Sequence, residues 1–143
     1  MLLSIVGRLI AHCADFKAVE VAEDVDALIA RAGLVESPSV IVMPYRERAT
    51  PSPLAAGGFR QRVAMQFLTG IVVRQYDDVM GADRAATFDS LKDEVEAALA
   101  GWEPEGAIES CELVGGESSP ISTGVSIYVQ TWETARFLTG ASQ

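Results

Sequence analysis

The feature that most constrains the fold is a long run of alternating residues from Phe59 to Tyr76. A period of two places successive side chains on opposite faces of a strand, so this pattern is typical of a strand with one wet face. It fits one long strand, or two strands that bend near Gly70. Either way, the chain is expected to build a sheet around this run. Its apolar members are Phe59, Val63, Met65, Phe67, Ile71 and Val73, and its polar members include Arg60, Arg62, Gln66 and Arg74.

Three other segments carry the spacing of helices. Residues 2 to 14 place apolar side chains three and four positions apart, and residues 81 to 101 do so most strongly. Pro104 prevents the second of these helices from continuing. A shorter helix is expected to begin after Asp24 and to end at Gly33, with the glycine as a left-handed cap. The sequence therefore predicts two main helices and one short helix.

Four further segments have the β-branched or alternating composition of strands. The last two follow the strongest helix with a Gly115-Gly116 turn between them. Strands that are neighbours in sequence, with no helix between them, favour antiparallel pairing. The sequence therefore predicts an α/β (α+β) fold, in which a mixed, largely antiparallel sheet packs against the helices. The four segments are Lys17–Val21, Ser39–Pro44, Glu109–Val114 and Gly124–Trp132.

Two segments have little that could pack. Residues 45 to 58 hold charged residues, prolines and a glycine pair, and they are expected to form a mobile surface loop. Loops of this length within a compact domain are uncommon and often carry function. Residues 139 to 143 are expected to be a frayed tail.

The composition is that of one globular domain, expected to span residues 1–143, because 49% of the residues are hydrophobic and 22% are charged. The formal net charge of −9 disfavours direct binding to nucleic acid or to an anionic membrane surface. The apolar N-terminus is interrupted by Arg8 and His12, so neither a signal peptide nor a membrane anchor is expected. The protein is therefore expected to start in a cytoplasm.

The sequence contains no set of residues suited to nucleophilic catalysis. Its single histidine, His12, neighbours Cys13 within the first helix, where adjacent side chains point in different directions. Cys13 and Cys111 lie far apart and form no C-x-x-C pair, which favours buried core thiols. A disulfide or a reactive thiol is the less favoured alternative.

Cofactor and metal motifs are not predicted either. The glycine pairs at 57–58 and 115–116 lack the residues that complete a phosphate-binding loop. The acidic clusters lack the spacing of a calcium-binding loop and are expected to be solvated faces and helix starts. A divalent cation held by Asp77, Asp78 and Asp83 is the weaker alternative.

The positive charges are grouped, since Arg46, Arg48, Arg60 and Arg62 bracket the expected loop while the acidic residues lie elsewhere. A surface with one basic and one acidic side suits head-to-tail association of identical subunits into a ring. The alternative is that these arginines only keep a mobile loop soluble. We place the contacts of a ring on this loop and its four arginines, because the loop is long, charged and poorly able to pack.

Over nearly its whole length the chain resembles the tail terminator family of long-tailed bacteriophages. The resemblance lies in the order of the elements and in local signatures, none of which is a catalytic motif. The segments that carry it are 3–9, Val40–Pro44, 61–77, Leu99–Pro104, Cys111–Gly116 and Tyr128–Thr134.

The resemblance implies a structural protein of the virion and not an enzyme. Members of the family form homohexameric rings that cap the tail tube, stop its polymerisation and provide the surface on which the head docks. The implied partners are further copies of the chain, the tail tube protein and a head completion or connector protein, at the head-proximal end of the tail. Contacts with the tube, like those within the ring, are expected on residues 45 to 58 and on Arg46, Arg48, Arg60 and Arg62. Trp102 and Trp132, which match the family pattern, are expected to be core anchors.

The charge adds a hypothesis about DNA, because a ring at this position would enclose its path. An acidic inner surface would repel phosphates, so that DNA passes through without specific binding. The alternative is that the acidity keeps the free subunit soluble. Two other functions remain open, namely another head-tail connector or tail completion protein and, less favoured, a small enzyme or ligand-binding domain.

Overall fold

The computed structural model describes residues 1–54, 58–74, 81–122 and 124–140, apart from the side chains of 81–86 and 119–122. Three helices and five strands follow one another in this part of the chain, which confirms the predicted α+β class. In chain order they are α1 (Leu2–His12), β1 (Ala18–Val21), α2 (Val25–Ala32), β2 (Ser39–Ala49), β3 (Arg60–Arg74), α3 (Gly81–Leu99), β4 (Glu112–Ser122) and β5 (Val125–Thr139).

The strands form one sheet in the order β1-β2-β3-β5-β4. Strand β1 runs parallel to β2, and α2 makes the crossover between them. All other neighbours are antiparallel, with β3 paired to β5 along its full length from Arg60 to Arg74. The sheet is therefore mixed and largely antiparallel, as predicted.

The two faces of the sheet carry separate cores. Phe67 and Ile71 of β3 pack with α1 and α3, and we call this side the first face. Leu68 and Val72 of the same strand pack with α2 on the opposite side, the second face. In the middle of β3, alternate side chains are buried on opposite faces of the sheet, so burial is continuous from Phe67 to Val73.

In the described residues, the long alternating run forms a single strand, Arg60–Arg74, whose pairing with β5 continues through Gly70. A Cβ at Gly70 would lie 2.9 Å from Ile127 Cδ1 and 3.3 Å from Leu28 Cδ1. The glycine therefore makes room for side chains of β5 and α2 on the second face, which is a second reason for glycine inside a strand.

The short helix begins as predicted and ends differently. The Asp24 carboxylate accepts a hydrogen bond from the Ala27 amide at 2.8 Å, which caps the first turn. Gly33 has φ −71°, so the expected left-handed cap is wrong. The reason is that the chain makes a further tight turn, with the amides of Leu34 and Val35 both donating to Arg31 O.

The predicted turn at Gly115-Gly116 is also wrong, because both glycines lie inside β4 and pair with Thr131 and Gln130. The Tyr128 hydroxyl lies 2.6 Å from the position of a Cβ on Gly116. The glycine thus leaves space for an aromatic side chain of the neighbouring strand, and it does not reverse the chain.

The expected loop from Tyr45 to Gly58 begins too early, because residues 45 to 49 belong to β2. Backbone pairing with β3 holds them, from Arg46 opposite Gln66 to Ala49 opposite Val63, without any apolar alternation in their sequence. Residues 55–57 lie outside the described part of the chain. At the C-terminus Thr139 is still paired, opposite Arg60, and residues 141–143 are not described.

Candidate assembly interface

One end of the sheet extends beyond the helices as a three-stranded arm, formed by residues 44–49 of β2, 60–66 of β3 and 133–139 of β5. Burial changes abruptly along β2: Ser39–Met43 are buried, and Pro44–Ala49 are exposed. A tight segment before β4 closes the base of the arm, where the Ile108 amide donates to Ala135 O at 2.8 Å. The outer half of the arm is held mainly by its own backbone ladder.

The arm has two open edges in the described part of the chain. Strand β1 pairs with β2 only as far as Val42, and β4 pairs with β5 no further than Glu133. The outer edges of residues 46–49 and 136–139 therefore present unpaired backbone groups, which are the groups to which a further strand can add.

All four arginines singled out from the sequence lie on the second face of the arm. Arg60 and Arg62 alternate with the first-face residues of β3, and Arg46 and Arg48 are opposite Gln66 and Ala64 in the neighbouring strand. A shallow cavity of about 300 Å³ lies beside two of them, lined by Arg46, Arg48, Ala64, Gln66 and Glu133. The structure therefore brings the four predicted residues onto one surface.

Arg62 differs from the other three arginines, because it forms an ion pair with Glu109 of the same chain. Its Nε and Nη2 donate to both carboxylate oxygens of Glu109 at 2.9 and 2.6 Å, and this bond to the guanidinium lowers the pKa of Glu109. The pair ties the middle strand of the arm to the segment before β4. We assign Arg62 a structural role within the subunit.

Arg46, Arg48 and Arg60 have no carboxylate within ion-pair distance among the described residues. Arg46 lies 4.6 Å from the centre of the Tyr45 ring and its Nε donates to Gln66 Oε1 at 2.9 Å. Arg60 lies 4.7 Å from the Phe137 ring. The two stacks hold Arg46 and Arg60 over the face without an ion pair to a described carboxylate. The arm thus offers three available guanidinium groups.

Apolar side chains accompany these charges. Tyr45, Phe59 and Phe137 are 46%, 46% and 42% exposed, which is high for large aromatic residues in a small domain. On the first face, Arg136 pairs with Glu47 at 3.3 Å across β3. The combination of exposed aromatic rings and arginines is the composition enriched in protein interfaces.

The two tryptophans occupy different environments. Trp132 is fully buried, and its Nε1–H donates to Thr69 Oγ1 at 3.1 Å. Thr69 in turn donates to Gln130 Oε1 at 3.3 Å, so three buried polar groups satisfy one another. Trp102 packs at the partly exposed edge of the first-face core, with Arg8 at 5.3 Å from its ring.

Reactive groups do not converge in the described part of the chain. Cys13 and Cys111 are buried and free, and burial raises their thiol pKa to about 11 and about 12. His12 is exposed, with Nε2 at 2.9 Å from Arg8 Nη1. No described group of three His, Cys, Asp or Glu side chains could hold a metal ion. Asp77, Asp78 and the Asp83 side chain lie outside the described residues.

The sequence reading missed apolar side chains on the outer surfaces of the helices. Leu3 and Ile10 of α1 are 81% and 62% exposed, although the helix was expected to turn polar residues outward. Their spacing of seven residues, opposite the buried pair Ile5 and Leu9, is the signal that could have found them. None of the helices in the described part of the chain is long and apolar enough to cross a membrane.

Comparison with known proteins identifies the family. The sequence model described as phage tail terminator protein matches residues 2–142. No curated protein matches the chain. Among solved structures, a chain from the virion of a native gene transfer agent particle is similar in fold, with a TM-score of 0.58 and 12% sequence identity over 98% of this chain and 95% of that one. The chain belongs to the phage tail terminator family, and its role is a structural one in a phage tail.

Proposed function

We propose that this protein caps the tail tube as a closed ring, ends tube polymerisation and then offers the surface on which the head is joined. The observation that carries the proposal is the arm, with three arginines that form no ion pair among the described residues, exposed aromatic rings and open strand edges, on a chain of net charge −9. Such a surface is costly on an isolated subunit and suits burial against another protein.

The proposed position is the head-proximal end of the tail, after assembly in the host cytoplasm. The partners are further copies of the chain, which form a hexameric ring, together with the tail tube protein below the ring and a head completion or connector protein above it. DNA passes through the ring without specific binding. An acidic lumen would favour this passage, because it repels phosphate groups.

The deciding experiment is electron microscopy of particles from a phage that lacks the gene. Tails longer than those of the wild type, without heads, are expected. Tails of normal length that fail to join heads would instead identify a completion or connector protein. Normal tails joined to heads would exclude both functions.

Complementation of the deletion with variant proteins tests whether the arm is needed for the function. Wild-type protein supplied in trans is expected to restore tail length, and so is Glu36→Arg, which changes an exposed residue after α2. Arg46→Glu/Arg48→Glu is expected to leave tails overlong, because the reversed charges occupy the proposed contact surface.

A further inference from the structure

The outer surface of α3 carries an acidic stripe, formed by Asp89, Asp93 and Glu96. Their spacing of four and three residues places them on one side of the helix, away from the buried Leu91 and Val95. Lys92 pairs with Asp89 at 3.2 Å and reaches back over the Tyr128 ring at 4.4 Å. Asp93 and Glu96 have no ion pair among the described residues.

The acidic stripe and the arginines without ion pairs lie on opposite sides of the sheet. Helix α3 packs on the first face through Leu91, Val95 and Leu99, whereas Arg46 and Arg48 lie on the second face. The two surfaces cannot meet within one subunit. They can meet between subunits that follow one another head to tail, which is the arrangement that closes into a ring.

We propose that Arg46, Arg48 and Arg60 of the arm bind the acidic stripe on α3 of the next copy in the ring. The inference rests on the proposed function and names the contact that builds the ring. Charge complementarity carries it: available guanidinium groups on one face match available carboxylates on the other. Contact of the arm with a second arm would instead place like charges together.

The side chains around the arginines and the acidic stripe support the same contact. The stacking of Arg46 on Tyr45 and of Arg60 on Phe137 fixes these side chains before assembly, so less side-chain entropy is lost when a carboxylate binds. The helical layer also exposes Leu3 and Ile10, which can pack against the aromatic rings of the arm. Glu23, Asp24 and Asp26 at the start of α2 are exposed too, but α2 packs on the second face, which is the face that carries the arginines.

Charge reversal tests the contact with the full chain. One variant reverses the arm, Arg46→Glu/Arg48→Glu, and another reverses the helix, Asp93→Arg/Glu96→Arg. Assembly is followed by native mass spectrometry, both in solution and on uncapped tail tubes. Each variant alone is expected to need at least about tenfold more protein for half-maximal assembly than the wild type, because every joint then opposes like charges. The matched control Glu23→Arg/Glu36→Arg is expected to assemble like the wild type.

Combining the charge reversals distinguishes loss of the contact from loss of the fold, because assembly is restored only if the contact itself was disrupted. The chain with all four reversals is expected to assemble again, and so is an equimolar mixture of the two double variants, because every joint in an alternating ring then pairs opposite charges. Failure of both to assemble, while circular dichroism shows folded chains, would overturn the contact.

Other outcomes identify other partners. If the arm variant assembles normally but loses binding to tail tubes or to duplex DNA, the arginines face those partners and the proposed contact is wrong. A wild-type chain that stays monomeric even on tubes would contradict both the ring and this contact. A ring that is insensitive to every reversal would leave the proposed function standing and remove only the inference.

Discussion

At the scale of single residues, the most constrained group is the buried chain of Trp132, Thr69 and Gln130. The Trp132 indole N–H donates to Thr69 Oγ1 at 3.1 Å, and the Thr69 hydroxyl donates to Gln130 Oε1 at 3.3 Å. The sequence predicted that Trp132 anchors the core from its size, but it could not predict the polar partners. Thr69 meets Gln130 and Trp132 only through the pairing of β3 with β5, which joins positions about sixty residues apart.

Trp132→Phe is expected to lower the free energy of unfolding by about 1–3 kcal/mol, because Thr69 loses its buried donor and the smaller ring leaves a gap. Urea unfolding measures the change. Trp102→Phe is the matched control, since Trp102 is partly exposed and its indole N–H has no hydrogen bond among the described residues. An equal loss in both variants would show that ring size alone matters.

The two thiols make stability depend on pH in the alkaline range. Burial raises the pKa of Cys111 from 9.0 to about 12, so the folded protein keeps a proton that the unfolded chain releases. The folded state binds more protons, and its stability therefore falls as the pH rises above about 9. Cys111→Ala is expected to remove this part of the fall, so its stability deficit relative to the wild type narrows above pH 9. A deficit that stays constant to pH 10.5 in urea titrations would contradict the shift.

At the scale of elements, periodicity predicted the three helices and five strands of the described residues, but not where the strands end. Residues 45–49 have the composition of a loop, and only their pairing with β3 makes them a strand. The sequence therefore did not predict the arm, although it did single out the arginines that the arm carries. The glycine pair also led to a wrong prediction, because Gly115 and Gly116 lie within β4 next to a bulge and do not form a turn. Gly101, in contrast, has φ 79° directly after α3, a conformation that favours glycine.

The two glycines of β4 provide a matched pair of substitutions. A Cβ at Gly116 would lie 2.6–3.0 Å from three atoms of Tyr128, whereas a Cβ at Gly115 meets nothing within 4 Å. Gly116→Ala is expected to cost about 1–3 kcal/mol of unfolding free energy through overpacking. Gly115→Ala is expected to be neutral or slightly stabilising, since it restricts the unfolded chain. Thermal unfolding of both variants checks this, and equal effects would contradict the packing of Tyr128 on Gly116.

At the scale of the whole molecule, two features support assembly. Exposed apolar side chains lie on the arm and on the helices, and the arginines of the arm lie on the opposite face of the sheet from Asp89, Asp93 and Glu96 of α3. The net charge of −9 predicted an acidic surface. It could not predict where on the molecule that surface lies, because its position depends on which face of the sheet each helix covers. Burial of the arm in a joint with another subunit would satisfy its open edges and its arginines together.

The most direct test of the cap is arrest of tube growth in vitro. Purified tail tube protein is allowed to polymerise, the chain is added, and tube length and tube ends are observed by electron cryo-microscopy. We predict that elongation stops and that one closed ring of this protein is present at a single end of each tube. Continued elongation at saturating protein, or protein bound along the tube wall instead of at its end, would contradict the proposed function.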